Sequence, residues 1–141
     1  MNVKQQKPIY IFIGPPGAGK GSLAQLCKER MGWHTLSTGD LCRAHIASQT
    51  DIGKAIDFSI KSGKLVSDEL IGQMVTQWLS ENINDIPALI LDGFPRTYNQ
   101  ARLFEEILSS ELPYCKLYVV ELLLSDNTII KRLSGRRLCN N

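Results

Sequence analysis

Residues Gly14 to Ser22 read GPPGAGKGS, directly after the apolar run Ile9 to Ile13 and directly before a helical pattern carrying Leu23, Leu26 and Cys27. Glycines at 14, 17, 19 and 21 allow the backbone to wrap closely around an anion, so that successive N–H groups point at its oxygens. The helix N-terminus behind them adds the positive end of its dipole, and Lys20 adds a mobile full charge. The chemistry expected here is phosphate binding. The stretch fits G-x-x-x-x-G-K, but Gly21 follows Lys20 and the hydroxyl of Ser22 arrives one place late.

Asp92 ends a second apolar run, Ala88 to Leu91, which puts its carboxylate at the same sheet edge as the loop. There it could hold Mg²⁺ through water. The alternative is an ordinary strand-ending aspartate that caps the next turn. Gly93-Phe94-Pro95-Arg96 follows, a rigid turn that gives an arginine a fixed direction. A planar guanidinium suits bidentate phosphate binding, and a solvated surface arginine is the alternative. His34 and His45 are the only histidines. Neither has a Ser/Asp or Cys partner recognisable from spacing, so packing or surface roles are expected and a hydrolytic triad is set aside.

The elements that must position these residues follow from periodicity. Apolar runs at Ile9 to Ile13, His34 to Leu36, Ala88 to Leu91 and Leu117 to Leu124 read as strands, the last nearly unbroken, and such runs suit strands buried on both faces. Helical patterns cover Lys20 to Met31 closed by Gly32, Asp40 to Ser48, Gly53 to Ser62 closed by Gly63, Asp68 to Glu81, Asn99 to Ser109 and Asp126 to Leu133. Ser67 and Ser125 are cap candidates. Strands alternating with helices predict an α/β fold with a parallel sheet covered on both sides. Ligands of such sheets bind at the carboxyl ends of the strands, where the loop from Gly14 lies.

With 141 residues, 43% hydrophobic and 21% charged, the chain is expected to form one domain with a real core. A net charge of +2 is too small to imply nucleic-acid binding. The basic residues are scattered except for Lys131, Arg132, Arg136 and Arg137, a group that a solvated helix end would also explain. Cysteines at 27, 42, 115 and 139 form no close pair, and 27, 42 and 115 read as small core residues. No signal peptide or membrane-length apolar run is recognisable, so a reduced, cytoplasmic enzyme is expected, away from membranes.

Four motifs now combine: GPPGAGKGS, STGDLCR at Ser37 to Arg43, GKLVSDEL at Gly63 to Leu70, and LDGFPRTYNQ at Leu91 to Gln100. In this order and spacing the chain resembles the adenylate kinases, from about Ile9 to its last residue. The late hydroxyl resembles the nucleoside monophosphate kinases rather than the GTPases, and STGD with DGFPRT favours adenylate over uridylate-cytidylate kinases. The resemblance implies a P-loop three-layer fold with four of the five strands of the family's sheet. It also implies reversible transfer of the γ-phosphoryl group of MgATP to AMP, giving two ADP.

Residue by residue, it implies ATP binding by Gly14, Gly17, Ala18, Gly19, Lys20, Gly21 and Ser22, with Arg132 against the adenine and Arg136 on the transferring phosphates. Lys20, Asp92, Arg96 and Arg136 are the implied catalytic residues. AMP binding is implied for Thr38, Arg43, Gly93, Arg96 and Gln100, with the arginines at its phosphate and Gln100 at its adenine, and for the covering segment Lys64, Leu65 and Val66. Residues 38 to 66 resemble a small helical AMP-binding subdomain on a core of residues 1 to 37 and 67 to 134. Two other readings are a nucleotide-binding fragment without turnover and a UMP/CMP-type kinase.

Residues 135 to 141 resemble the start of a zinc-type lid, with Cys139 the first possible zinc ligand. A lone cysteine cannot make a four-ligand site, so structural Zn²⁺ is expected only in a longer form. The lid arginines, last strand and final helix are likewise not in this sequence. Turnover of the 141-residue chain is therefore expected to be weak. The family is usually monomeric, but the apolar run Leu117 to Leu124 would be an open edge, through which self-association is expected.

Overall fold

The structure, a computed structural model, describes residues 6–137. Its elements in order are β1 (Lys7–Ile13), α1 (Lys20–Met31), β2 (His34–Ser37), α2 (Thr38–Ala47), α3 (Asp51–Lys61), α4 (Asp68–Asn82), β3 (Leu89–Asp92), α5 (Tyr98–Ser110), β4 (Cys115–Glu121) and α6 (Asp126–Ser134). A 3-10 turn at Ile83–Asp85 leads from α4 toward β3. The four strands form one parallel sheet in the order β2-β3-β1-β4.

Alternation along the strands divides the core between two sheet faces. Ile9 and Ile11 of β1, paired with Leu89 and Leu91 of β3, join Leu36 against Val75 and Leu79 of α4 and Phe104 and Ile107 of α5. The intervening Tyr10, Phe12 and Ile90 point the other way, to Ala24 and Cys27 of α1. Tyr10 is there stacked between Trp33 and Tyr118, at centroid distances of 4.4 and 5.1 Å. The result is helix, sheet, helix, the three-layer α/β arrangement expected from the alternation of elements. Val75 and Leu79 are completely buried, each a contribution of roughly 1.5–3 kcal/mol relative to exposure.

Helix starts are set by side-chain caps. Ser37, Thr50, Ser67, Thr97 and Ser125 each accept a hydrogen bond from a backbone N–H of the first turn of α2 to α6 respectively. Ser67 and Ser125 are the caps expected from sequence. Ser37, Thr50 and Thr97 start α2, α3 and α5 one or two residues earlier than periodicity predicts, because a cap acts before the first apolar position appears.

The fourth strand departs from expectation at both ends. It runs Cys115–Glu121 rather than Leu117 to Leu124, because pairing to β1 determines its limits: Lys7 is level with Cys115, and Ile13 with Glu121. One further bond, from Leu122 N–H to the Ile13 carbonyl, closes the ladder before β1 turns away at Gly14. Burial on both faces is not found either. Leu117, Tyr118, Val119 and Val120 remain 38%, 37%, 57% and 37% exposed, because β4 lies at the sheet edge and among the described residues pairs only with β1.

Candidate functional site

The carboxyl ends of β1 and β3 lie side by side and hold the phosphate loop and Asp92. The loop can leave β1 sharply because residue 14 is glycine. Its φ is +147°, and a Cβ there would lie 2.7 Å from the Leu122 carbonyl oxygen. The loop closes with the Ala18 N–H on the Pro15 carbonyl, and the first backbone bond of α1 is then Leu23 N–H to Gly19 O. Unlike α2 to α6, α1 has no side-chain cap, and like α5 it has no acidic residue in its first turn. The N–H groups at the start of such a helix have no intrahelical acceptor, so an anion can take that place.

Lys20 folds back over the loop and donates from Nζ to the carbonyls of Gly14 and Pro15 at 2.8 and 3.1 Å. Arg132 reaches the same loop from α6, its Nη1 donating to Gly17 O at 3.1 Å. These contacts build a cleft of about 850 Å³ that takes in the loop from Pro16 to Ser22 together with Asp92, Arg132, Leu133 and Arg136. Every site residue predicted on the loop and α6 is in or beside it. Arg132 reaches it through a bond to a loop carbonyl.

A second cleft, of about 280 Å³, shares Lys20 and Asp92 with the first. Gly14, Lys20, Asp92, Gly93, Pro95 and Arg96 are among the residues that line it. Gly93 has a φ of +79°, and a Cβ on it would sit 2.8 Å from Arg96 Nη2 and 3.0 Å from Thr38 Oγ1. Only glycine leaves room for that arginine to fold back over the turn. Thr38 is buried and donates from Oγ1 to the Gly93 carbonyl at 3.2 Å, which joins the start of α2 to the same turn.

The remaining predicted residues are placed less centrally. Arg43, exposed on α2, is paired with Asp40. Lys64, Leu65 and Val66 lie in the connection between α3 and α4, with Lys64 exposed, Leu65 95% exposed and Val66 half-buried. Gln100 is buried on the first turn of α5, its Oε1 accepting from the Arg96 N–H at 2.8 Å and its Nε2 donating to Asp68 Oδ1 at 2.8 Å. Pro16, Leu133 and Asp68 were not anticipated. Pro16 and Asp68 both stand inside quoted motifs, but the contacts of Asp68 with Thr97 and Gln100, like those of Leu133 with the loop, are long-range and leave no local signal.

Burial raises the Cys42 thiol, with the Arg43 charge opposing it, and burial likewise raises Cys115 against the charge of Lys7. Raised thiols stay protonated and unreactive, which suits packing rather than nucleophilic chemistry. Cys27 is buried against the sheet. His45 Nδ1 is engaged with Thr50 Oγ1 at 2.9 Å. Cys139 lies outside the described residues, among which no cluster of His, Cys, Asp and Glu could hold a metal ion on its own. Nor is any described helix long and apolar enough to cross a membrane.

A phosphate loop, a strand-end carboxylate and two clefts that meet at one lysine define a P-loop protein of the α/β class. A family profile described as adenylate kinase matches residues 12–139. The chain is 46% identical to an adenylate kinase of Treponema denticola, over 93% of this chain and 59% of the relative. Adenylate kinases of Borrelia turicatae and Thermosipho melanesiensis are 37% and 39% identical, over 93% of this chain and 59% and 60% of their own lengths. The chain belongs to the adenylate kinase family. It spans about 59% of the length of the Treponema and Borrelia relatives.

Proposed function

We propose that the chain carries the ATP- and AMP-binding machinery of a phosphotransferase that moves the γ-phosphoryl group of MgATP to AMP, giving two ADP. The observation that carries this reading is the pair of clefts sharing Lys20 and Asp92. The donor triphosphate lies on the loop from Gly14 to Ser22, under Arg132 and Arg136. The AMP phosphate lies in the smaller cleft against Arg96, with Arg43 approaching from α2, Gln100 at the adenine, and the segment Lys64 to Val66 over the base.

In this proposal residues 38 to 66 are a mobile AMP-binding subdomain on the core formed by 1 to 37 and 67 to 134, and residues from 135 onward begin a lid. A cytoplasmic location accords with the substrates.

The transfer needs no covalent enzyme intermediate. Charge in its loose transition state lies on the equatorial phosphoryl oxygens, so rate comes from alignment and from cations. Lys20, Arg96 and Arg136 supply those cations, and the loop N–H groups hold the chain of phosphates still. The donor set at Asp92 fits Mg²⁺, which commonly takes one or two protein carboxylates, several waters and the nucleotide phosphates as ligands. When bound, that ion neutralises phosphate charge.

The test is a coupled assay for ADP formed from ATP with AMP, UMP, CMP or GMP, run beside titration with a bisubstrate ATP–AMP mimic. ADP formation that requires AMP, together with binding of the mimic, is expected. Binding without turnover would instead assign a nucleotide-binding role, and loss of both would overturn the reading.

The β4 edge supports a separate proposal, that the 141-residue chain associates with itself. Four successive side chains of this strand are at least 37% exposed, and an edge that is apolar between Lys116 and Glu121 offers both backbone bonds and side-chain burial to a second copy. Sedimentation should show mass rising with concentration. A compact monomer that melts cooperatively at all concentrations would rule the association out.

A further inference from the structure

Gln100 is held in a way that decides which end of its amide is which. It is only 6% exposed, and both of its polar ends are engaged. Oε1 accepts from the Arg96 main-chain N–H, and Nε2 donates to Asp68 Oδ1, both at 2.8 Å. The other carboxylate oxygen of Asp68 accepts from Thr97 Oγ1 at 2.8 Å, and Thr97 Oγ1 in turn accepts from the Gln100 N–H at 3.1 Å. A main-chain N–H can only donate and an ionised carboxylate can only accept, so a flipped amide would face donor with donor and oxygen with oxygen.

Each end of the amide retains one unused valence, a lone pair on Oε1 and a proton on Nε2. An amide with one fixed acceptor and one fixed donor matches the amino group of adenine and the ring nitrogen beside it. A 6-oxo purine reverses that pattern, with an acceptor at C6 and a donor at N1. A free amide could follow either base by turning over; a locked one cannot.

From this network we infer that Asp68 is a positioning residue, which together with the Arg96 N–H fixes the sense of the Gln100 amide and so selects a 6-amino over a 6-oxo purine in the acceptor nucleotide. The inference rests on the proposed placement of Gln100 at the acceptor base. Asp68 suits the task by location. It is the first residue of α4, directly after the segment that leads from α2 and α3, and its carboxylate ties that junction to the first turn of α5.

The experiment measures affinities of the 141-residue chain and its Asp68→Asn variant for AMP, IMP and ATP by calorimetry, with melting temperatures alongside. The unsubstituted chain should prefer AMP to IMP by about tenfold or more, the discrimination expected of a bidentate pair. Asp68→Asn should cut that preference by about fivefold or more while ATP affinity changes by less than about twofold, since the neutral amide can present either a donor or an acceptor. A preference that stays the same, even with a lowered melting temperature, would reduce Asp68 to a structural residue and overturn the inference.

A second measurement needs no substitution: the Gln100 side-chain amide protons should give resolved NMR signals that exchange slowly with water. Exchange as fast as that of an exposed glutamine would also overturn it. A chain that binds neither AMP nor IMP removes the proposed acceptor role itself, and the inference with it. Binding of AMP with an unaltered preference removes the inference alone.

Discussion

Replacing Lys20 with Met is expected to lower turnover of the proposed phosphotransferase by about 10²–10³-fold, the scale seen when one preorganised charged or hydrogen-bonding group is removed from a transition state. Lys20 is the side chain common to both clefts on the loop side, which in the proposed reaction puts its ammonium between donor and acceptor. Its structural contribution is smaller. The substitution deletes two bonds, to the Gly14 and Pro15 carbonyls, but Pro15 O keeps the Ala18 N–H as a partner. Two partly buried bonds of this kind are worth about 1 kcal/mol each, so the melting temperature should fall by roughly 5–10 °C while the chain stays folded. Steady-state ADP formation and a thermal melt on the same preparation separate the two effects. Unchanged turnover would remove Lys20 from the site.

The parts of this architecture readable in the sequence are those whose signal is local. β1, β3 and α1 end where glycine, a carboxylate or a cap interrupts an apolar period, and the residues at those ends, Lys20, Asp92 and Arg96, are the ones the two clefts share or border. The limits of β4 were not readable, because hydrophobicity continues through Leu124 whereas the ladder stops level with the end of β1. The unbroken apolar run alone suggested burial on both faces, whereas the open edge expected from the family resemblance is what the sheet order β2-β3-β1-β4 has. The bond from Arg132 to Gly17 spans 115 positions and that from Gln100 to Asp68 spans 32, so each depends on the assembled sheet and not on spacing. Asp68 shows the difficulty most clearly. An acidic residue just after a serine cap already has a sufficient local role at the positive end of a helix, and that role conceals the lateral one.

Arg96→Ala is expected to weaken AMP binding by about 10–100-fold, the range for one or two charge-assisted hydrogen bonds to a phosphate, while ATP affinity changes by less than about threefold. The asymmetry follows from where the side chain goes. Of the two clefts Arg96 lines only the smaller, folded against the Gly93 turn, whereas the loop-side cleft draws Arg132 from α6 and Arg136 from just beyond its end. The turn itself should survive the substitution, because its tie to α5 uses the Arg96 main-chain N–H, which alanine retains, and because Thr38 still donates to the Gly93 carbonyl. Separate calorimetric titrations with AMP and with ATP measure the split. If both nucleotides lose affinity equally, Arg96 serves the shared region around Lys20 and Asp92. If only AMP does, the smaller cleft is the acceptor site, and the direction of transfer runs from the loop, past Lys20, toward Arg96.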